Sequence, residues 1–375
     1  MMIYLDNAAT TKPNIAALEN AQKYLSEEFF NPSAKYRGGI NASLVLKQAK
    51  QTFSKIFGSN FEVIFTSCGT ESDNTAIYSY SKRGNIVTSL GEHSAVFAPL
   101  DGLKKQGYDA RFAKINPDGS VNEESLLSLI DSNTTLVTIV HVNNETGAIN
   151  DINSLAKKCK EINPRLVFHS DGVQAFGKIQ TKLSPYIDLY SISAHKIGGL
   201  KGVGALIKNK NLKTLKPLIV GGGQENGIRS GTENVFGISV LESVSIDKIA
   251  NFEKYYNYVT NLKKEFLSLI DTNLFKIISS ENSSPYVISL SAVGLKGEVL
   301  QHMLEKDGVI VGTGSACSSK NPFSRVLKEA GYDAKTLDGV VRVSFNSDTS
   351  VEDVRFAVSK LNENALNLKK AMYNL

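Results

Sequence analysis

Cysteine is scarce in this chain. Its 375 residues hold three, at positions 68, 159 and 317, an odd number set far apart. That spacing argues against a disulfide framework and makes the reduced cytoplasm the expected setting. Any cysteine that matters should matter as a thiol. Long apolar runs are also missing. No stretch approaches the ~18 to 20 residues that a membrane span needs. The opening Met1-Met2-Ile3-Tyr4-Leu5-Asp6 has no basic segment followed by an apolar one, so no secretory leader is expected. Charge of one sign is in short supply as well: 42 Lys and Arg against 37 Asp and Glu leave +5. Over this length the excess is too thin to argue for a nucleic-acid or membrane surface. No close set of Cys and His has the spacing of metal ligands, so no structural metal is expected. There is no internal repeat and no low-complexity segment.

What is present is alternation, in a chain long enough for two or three domains. Between about 60 and 210, short β-rich runs recur: 63–66, 85–88, 110–113, 136–140, 166–169, 189–192 and 203–207. Amphipathic stretches separate them, with Leu126, Leu127 and Ile130, or Ile152, Leu155 and Ala156, at helical spacing. This predicts an α/β fold, a largely parallel sheet covered by helices, with ligands at the carboxyl ends of the strands. After Gly231 the pattern changes. Helical sequence runs from about 235 to 270 with a break near Asn251. Strand-like 287–290, 309–311 and 340–343 and two further helical stretches then suggest a smaller α+β domain. The expected division is 15–250 for the large cofactor-binding domain, and 1–14 with 251–375 for the small one that carries the Cys317 loop.

Four stretches could carry chemistry. Ser193-Ala194-His195-Lys196 follows an apolar run, and burial at a strand end would lower the pKa of Lys196 and suit it to Schiff-base chemistry. Asp171 closes the strand before it at the same sheet edge, as a pyridoxal ring nitrogen would require. Thr66-Ser67-Cys68-Gly69-Thr70-Glu71-Ser72 joins a strand to a helix, where free backbone N–H groups can cradle a phosphate. The polar loop Gly221-Gly222-Gly223-Gln224-Glu225, ending in Arg229-Ser230-Gly231-Thr232, offers further donors. Neither has the Gly-Lys-Ser/Thr ending of a nucleotide P-loop. Cys317, within Gly314-Ser315-Ala316-Cys317-Ser318-Ser319, is flanked by small residues that suit an exposed loop better than a packed core. An ordinary thiol is only a few per cent ionised at neutral pH, and lowering its pKa by ~1.5 units would make about half of it thiolate.

In combination these pieces are specific. The chain resembles the cysteine desulfurases, in the class V aminotransferase group of pyridoxal-phosphate enzymes. Matching motifs run nearly end to end: Tyr4-Leu5-Asp6-Asn7-Ala8-Ala9-Thr10-Thr11, Asn31-Pro32-Ser33, residues 65–74, Glu92-His93, and His141-Val142-Asn143-Asn144-Glu145-Thr146-Gly147. The series continues through Asp171-Gly172-Val173-Gln174, residues 193–196, residues 221–232, Ser315-Ala316-Cys317-Ser318-Ser319 and Arg342-Val343-Ser344. The resemblance implies the pyridoxal-phosphate-dependent transferase fold type I, aspartate-aminotransferase-like, with a mostly parallel seven-stranded sheet. It implies pyridoxal 5'-phosphate held by Lys196, which would also move the proton at the substrate Cα. Asp171 would meet the ring nitrogen, Gln174 the phenolic oxygen, and His93 would stack on the ring and act in acid–base steps. Gly69, Thr70, Ser193 and His195 would grip the phosphate, joined by Thr232 from the neighbouring subunit of a homodimer. Asn144 would contact cofactor or substrate, and Arg342 would clamp the substrate carboxylate with its bidentate fork. L-Cysteine would give L-alanine and a persulfide on Cys317, for delivery to an iron–sulfur scaffold or a sulfur-relay protein.

Departures and alternatives complete the expectation. The family often has His at Tyr36, Gly at Cys68, Arg at Asn226 and Gly at Asn346. Cys68 is expected to be a small buried spacer, Cys159 a helix-packing or surface thiol, His141 and His169 satisfied core or second-layer groups, and His302 solvated. The competing readings are a selenocysteine lyase or an aminotransferase of the same group, and a non-catalytic sulfur-assembly subunit.

Overall fold

A computed structural model of the protein describes residues 2–313 and 323–373. Among them, in chain order, run strands β1 (Ile3–Leu5), β2 (Phe61–Thr66), β3 (Asn85–Ser89), β4 (Ala110–Ala113), β5 (Thr134–Val140) and β6 (Val167–Asp171). Then come β7 (Leu189–Ser193), β8 (Gly204–Asn209), β9 (Lys276–Ile277), β10 (Val287–Ser291), β11 (Val309–Thr313) and β12 (Val340–Ser344). They form two sheets. The larger has seven strands in the order β2-β8-β7-β6-β5-β3-β4. β3 to β7 run parallel, and β8 lies antiparallel between β7 and β2. This is the mostly parallel seven-stranded sheet that the resemblance implies.

Helices cover both faces of the parallel strands, so even their polar residues are mostly out of solvent. β6 and β7 are buried at every residue. Adjacent residues of one strand feed opposite cores, as a side-chain period of two requires. Ile64, Leu189 and Leu206 join a cluster with Ala76, Ile77 and Leu100. Val63, Phe65, Tyr190 and Ile192 join the larger cluster around Phe53, Phe57 and Phe176. Helix Ile152–Ile162 shows how local sequence sets an element: Asp151 caps it by accepting from Ser154 N, and Ile152, Leu155, Ala156 and Cys159 form its buried stripe.

The smaller sheet has the order β1-β11-β12-β10-β9. Its core joins Leu5, Ile288, Val311 and Val343 to Phe266 of helix Phe252–Leu269 and Leu361 of helix Val351–Tyr373. The expected break falls at Asn251, where helix Val235–Ala250 ends and the next begins. β1 pairs in parallel with β11, so the first residues of the chain belong to the sheet built by its last third. The consequence is positional. Residues 6–11, leaving β1, pass from the small sheet to the carboxyl edge of the large one, where Thr11 N donates to His195 O at 2.9 Å.

Candidate active site

At that edge, between the two sheets, lies a cavity of about 380 Å³. Asp171, Gln174, Ser193, His195, Lys196, Gly69, Thr70, His93, Asn144 and Arg342 all line it, gathered from strands, turns and a helix start up to 273 positions apart. Of the residues expected there, Thr232 is exposed and does not line the cavity. Cys317 lies outside the described residues. The chain on either side of that stretch reaches the cavity, through Thr313 at the end of β11 and Arg325 beyond it.

Asp171 is the last residue of β6. A Cβ at Gly172 would fall 1.9 Å from Tyr190 Cζ, so only glycine lets the chain turn away from the strand here. The Asp171 carboxylate accepts from Val173 N at 2.9 Å and is 4% exposed. Burial pushes its pKa up, while His93 and Lys196 pull it down. Lys196 ends the short turn Ala194–Lys196 after β7, and its Nζ donates to Ala8 O and Ala9 O, both at 2.7 Å. Ala8 O also accepts from Gln174 Nε2 at 2.8 Å. One carbonyl of the amino-terminal segment therefore gathers both side chains.

His93 caps helix Ser94–Lys105, its Nδ1 accepting from Ala95 N at 3.2 Å, which fixes the ring at the cavity wall. Burial lowers its pKa. His195, bonded to Thr10 Oγ1 at 3.1 Å, is pushed down to about 4 by burial and then by Lys196. Arg342 reaches from the small sheet: Nη2 meets Asp6 Oδ1 at 2.7 Å and Nη1 donates to Asn144 O at 3.0 Å. Asn144 is thus tied in through its backbone. Asn143, fully buried, bonds Gly91 O and the amides of Glu145 and Thr146 and fixes the turn.

Three features fit a phosphorylated aromatic cofactor. Helix Gly69–Tyr80 starts at the cavity wall, and its N-cap, Cys68, makes no side-chain capping bond, so the first-turn amides can meet an anion. Ser193 Oγ is buried without a hydrogen-bond partner at the same wall. The Arg342 Nε is likewise buried and unpartnered. Unsatisfied buried donors are costly in native folds, so Ser193 Oγ and Arg342 Nε, with the open helix start, suit the oxygens of a ligand.

Several lining groups escaped sequence reasoning. Glu92, with its carboxyl accepting from Ser89 Oγ at 2.6 Å and Val140 N at 3.1 Å, is pushed up to about 8 by burial. Asp73 is 1% exposed, and burial with the Asp171 charge raises it well above the ordinary range. Arg325 stacks on the Phe97 ring, 3.7 Å from its centroid, and donates to the carbonyls of Leu90 and Glu92. Asp73 and Glu92 sit inside motifs quoted above. Nothing in the sequence around Arg325 pointed to the cavity.

Other expectations sort cleanly. Cys159 is fully buried and its thiol is pushed up to about 12, a packing role. His169 is buried between Thr138 Oγ1 and Ser191 Oγ, at 2.7 and 2.9 Å, and held down to about 3. His302 is solvated. Cys68 differs from the buried spacer that was expected: it is only half-buried and lines the cavity. The reason is its place at the N-cap of helix Gly69–Tyr80, which starts at the cavity wall. Asn226, in place of the common Arg, adopts φ 56°, a left-handed conformation that asparagine tolerates well.

The sheet order and the lysine–aspartate edge define the fold type I transferase architecture, and the chain belongs to the class-V aminotransferase family, whose profile matches residues 3–356. Its similarities are narrower than that family. It is 35% identical over 370 residues to cysteine desulfurase IscS of Dictyoglomus turgidum, covering 96% of this chain and 93% of the relative. A cysteine desulfurase of Nostoc sp. is 35% identical over 356 residues, covering 92% and 88%. Among solved structures, a NifS-like protein superposes with a TM-score of 0.90 at 31% identity, covering 98% of this chain and all of the other. The NifS-like protein from Rickettsia africae gives 0.87 at 27%, covering both chains completely.

Proposed function

We propose that the protein is a pyridoxal-5'-phosphate-dependent cysteine desulfurase that turns L-cysteine into L-alanine and takes the sulfur as a persulfide on Cys317. The observation that carries the reading is the meeting of the Lys196 amine, the buried Asp171 carboxylate and the Arg342 guanidinium around one cavity. When bound, pyridoxal phosphate supplies a ring that draws in the electron pair left at the substrate α-carbon. The remaining work falls to the chain.

Gly69, Thr70, Ser193 and His195 hold the phosphate, and Asp171 holds the proton of the ring nitrogen. A cation brought beside Asp171 favours its ionised form against the pull of burial. Gln174 donates to the phenolic oxygen, and His93 packs on the ring. Lys196 would anchor the cofactor and would move the proton at the substrate Cα. Asn144 and Arg342 orient the substrate, Arg342 through its carboxylate. The Cys317 thiolate then attacks the substrate sulfur. A sulfur–sulfur bond forms as the Cβ–S bond breaks, the bonding pair stays with carbon, and protonation gives alanine.

Thr232 serves the neighbouring subunit of a homodimer. Apolar groups exposed just before its loop, Leu218, Ile219 and Val220, with Phe29, Tyr36, Ile40 and Leu44, support such pairing. The persulfide is delivered in the cytoplasm to an iron–sulfur scaffold or a sulfur-relay protein. Among the described residues no helix is long and apolar enough to cross a membrane.

The experiment compares the unaltered protein with one variant. The purified protein should turn yellow with pyridoxal phosphate, and borohydride should then fix the cofactor to the Lys196 peptide. Cys317→Ala should stay yellow and bind cysteine, yet release no alanine. Full alanine release from that variant would instead favour a direct lyase.

A further inference from the structure

Lys178 is one of the most deeply buried lysines in the protein, 5% exposed, and the reading above gives it no task. Among the described residues it makes no ion pair, and its Nζ donates to Gln174 Oε1 at 2.9 Å. We propose that Lys178 is a positioning residue: its amine, donating to Oε1, locks the Gln174 amide with Oε1 turned inward and Nε2 turned to the cavity. There Nε2 can donate to the phenolic oxygen of the cofactor. The inference rests on the reading that the cavity holds pyridoxal phosphate.

The two ends of an amide are ordinarily hard to tell apart, and their assignment follows from the neighbours. Here the backbone decides. Ala8 O is an acceptor only, so Nε2 must face that side, at 2.8 Å, which leaves Oε1 to accept from Lys178 Nζ at 2.9 Å. A flipped amide would set carbonyl against carbonyl at Ala8. Nε2 carries two hydrogens, and Ala8 O uses one. The second is left for an oxygen in the cavity, which Gln174 and Ala8 both line.

The surroundings explain why a lysine can serve without disturbing the site. The charged groups around it are Lys196 from the turn after β7, Lys248 from helix Val235–Ala250 and Arg342 from β12, all of the same sign. The carboxylates nearby, Asp247 and Asp348, face Lys248. Burial and these cations press the Lys178 pKa well below the ordinary lysine range. In either protonation state the amine keeps a hydrogen to donate to Gln174 Oε1.

The test reads the bound chromophore, not turnover. A donor on the phenolic oxygen lowers the basicity of the adjoining chromophore nitrogen, so its loss raises the pH midpoint of the visible band. Lys178→Met should raise that midpoint by about 0.5–1 unit and weaken pyridoxal phosphate binding about three- to tenfold. Gln174→Ala should do the same, and adding K178M to Q174A should change nothing further. K178Q, a neutral donor of similar reach, should match the wild type. A K178M midpoint equal to wild type overturns the proposal, as does a K178M shift that persists in the Q174A background. If K178M does not fold, K178Q decides: a midpoint at the wild-type value supports the proposal, and one displaced as far as in Q174A overturns it. A wild-type protein that stays colourless with added cofactor sinks the reading of the cavity itself. A yellow wild type whose midpoint ignores Lys178 sinks only this inference.

Discussion

The Arg342 guanidinium lies 2.7 Å from the Asp6 carboxylate, although the two residues are 336 positions apart. Their side chains are 10% and 17% exposed, so the pair is shielded from most solvent. Asp6 holds the arginine fork from the amino-terminal segment, and Asn144 O holds its other nitrogen. The Arg342 guanidinium is therefore set by a residue on the first strand's exit.

Asp6→Asn should loosen that fork. A hydrogen bond to a charged group contributes about 1.5–3 kcal/mol, so KM for cysteine should rise roughly tenfold or more, with kcat changed far less. Steady-state alanine release measures both. An unchanged KM would mean that Asp6 only fastens the segment.

Ser193 Oγ is buried and makes no hydrogen bond. Ser193→Ala should therefore leave the cofactor-free protein as stable as wild type or slightly more so, since an unsatisfied hydroxyl is removed. The same change should weaken pyridoxal phosphate binding about tenfold. Thermal melting and cofactor titration separate the two effects, and a drop in melting temperature without a loss of affinity would contradict the assignment.

Glu92 gives a pH prediction. Burial raises its pKa from 4.5 to about 8 in the folded protein. Between those values the folded state binds a proton that the unfolded chain has lost, so this group's contribution to stability falls as pH rises through that window. Glu92→Gln, which mimics the protonated acid, should remove the dependence. The melting temperature of the variant should gain on wild type steadily from pH 5 to 8. A constant difference across that range would show that Glu92 is ionised throughout.

Much of this was legible in the sequence, for physical reasons. A buried strand such as β5 announces itself as a short run rich in β-branched residues, and Asn251 ends a helix through its backbone N–H, which donates to Asp247 O. Lys196 and Asp171 could be placed because Asp171 closes β6 and Lys196 ends the short turn after β7, at one sheet edge. Arg325 could not. It enters the cavity through stacking on Phe97 and through carbonyls of a turn more than 230 positions away in the chain, contacts that leave no local pattern. The Gln174–Lys178 pair has helical spacing but belongs to a turn, and only the shared Ala8 carbonyl reveals its orientation.

The most direct test of the account follows the sulfur. The cofactor-loaded protein is incubated with isotopically labelled cysteine, digested without reductant, and its peptides are weighed. One labelled sulfur should appear on the peptide carrying Cys317, together with one alanine per sulfur bound. Label on Cys68 or Cys159, or alanine released with no sulfur on the protein, would contradict it.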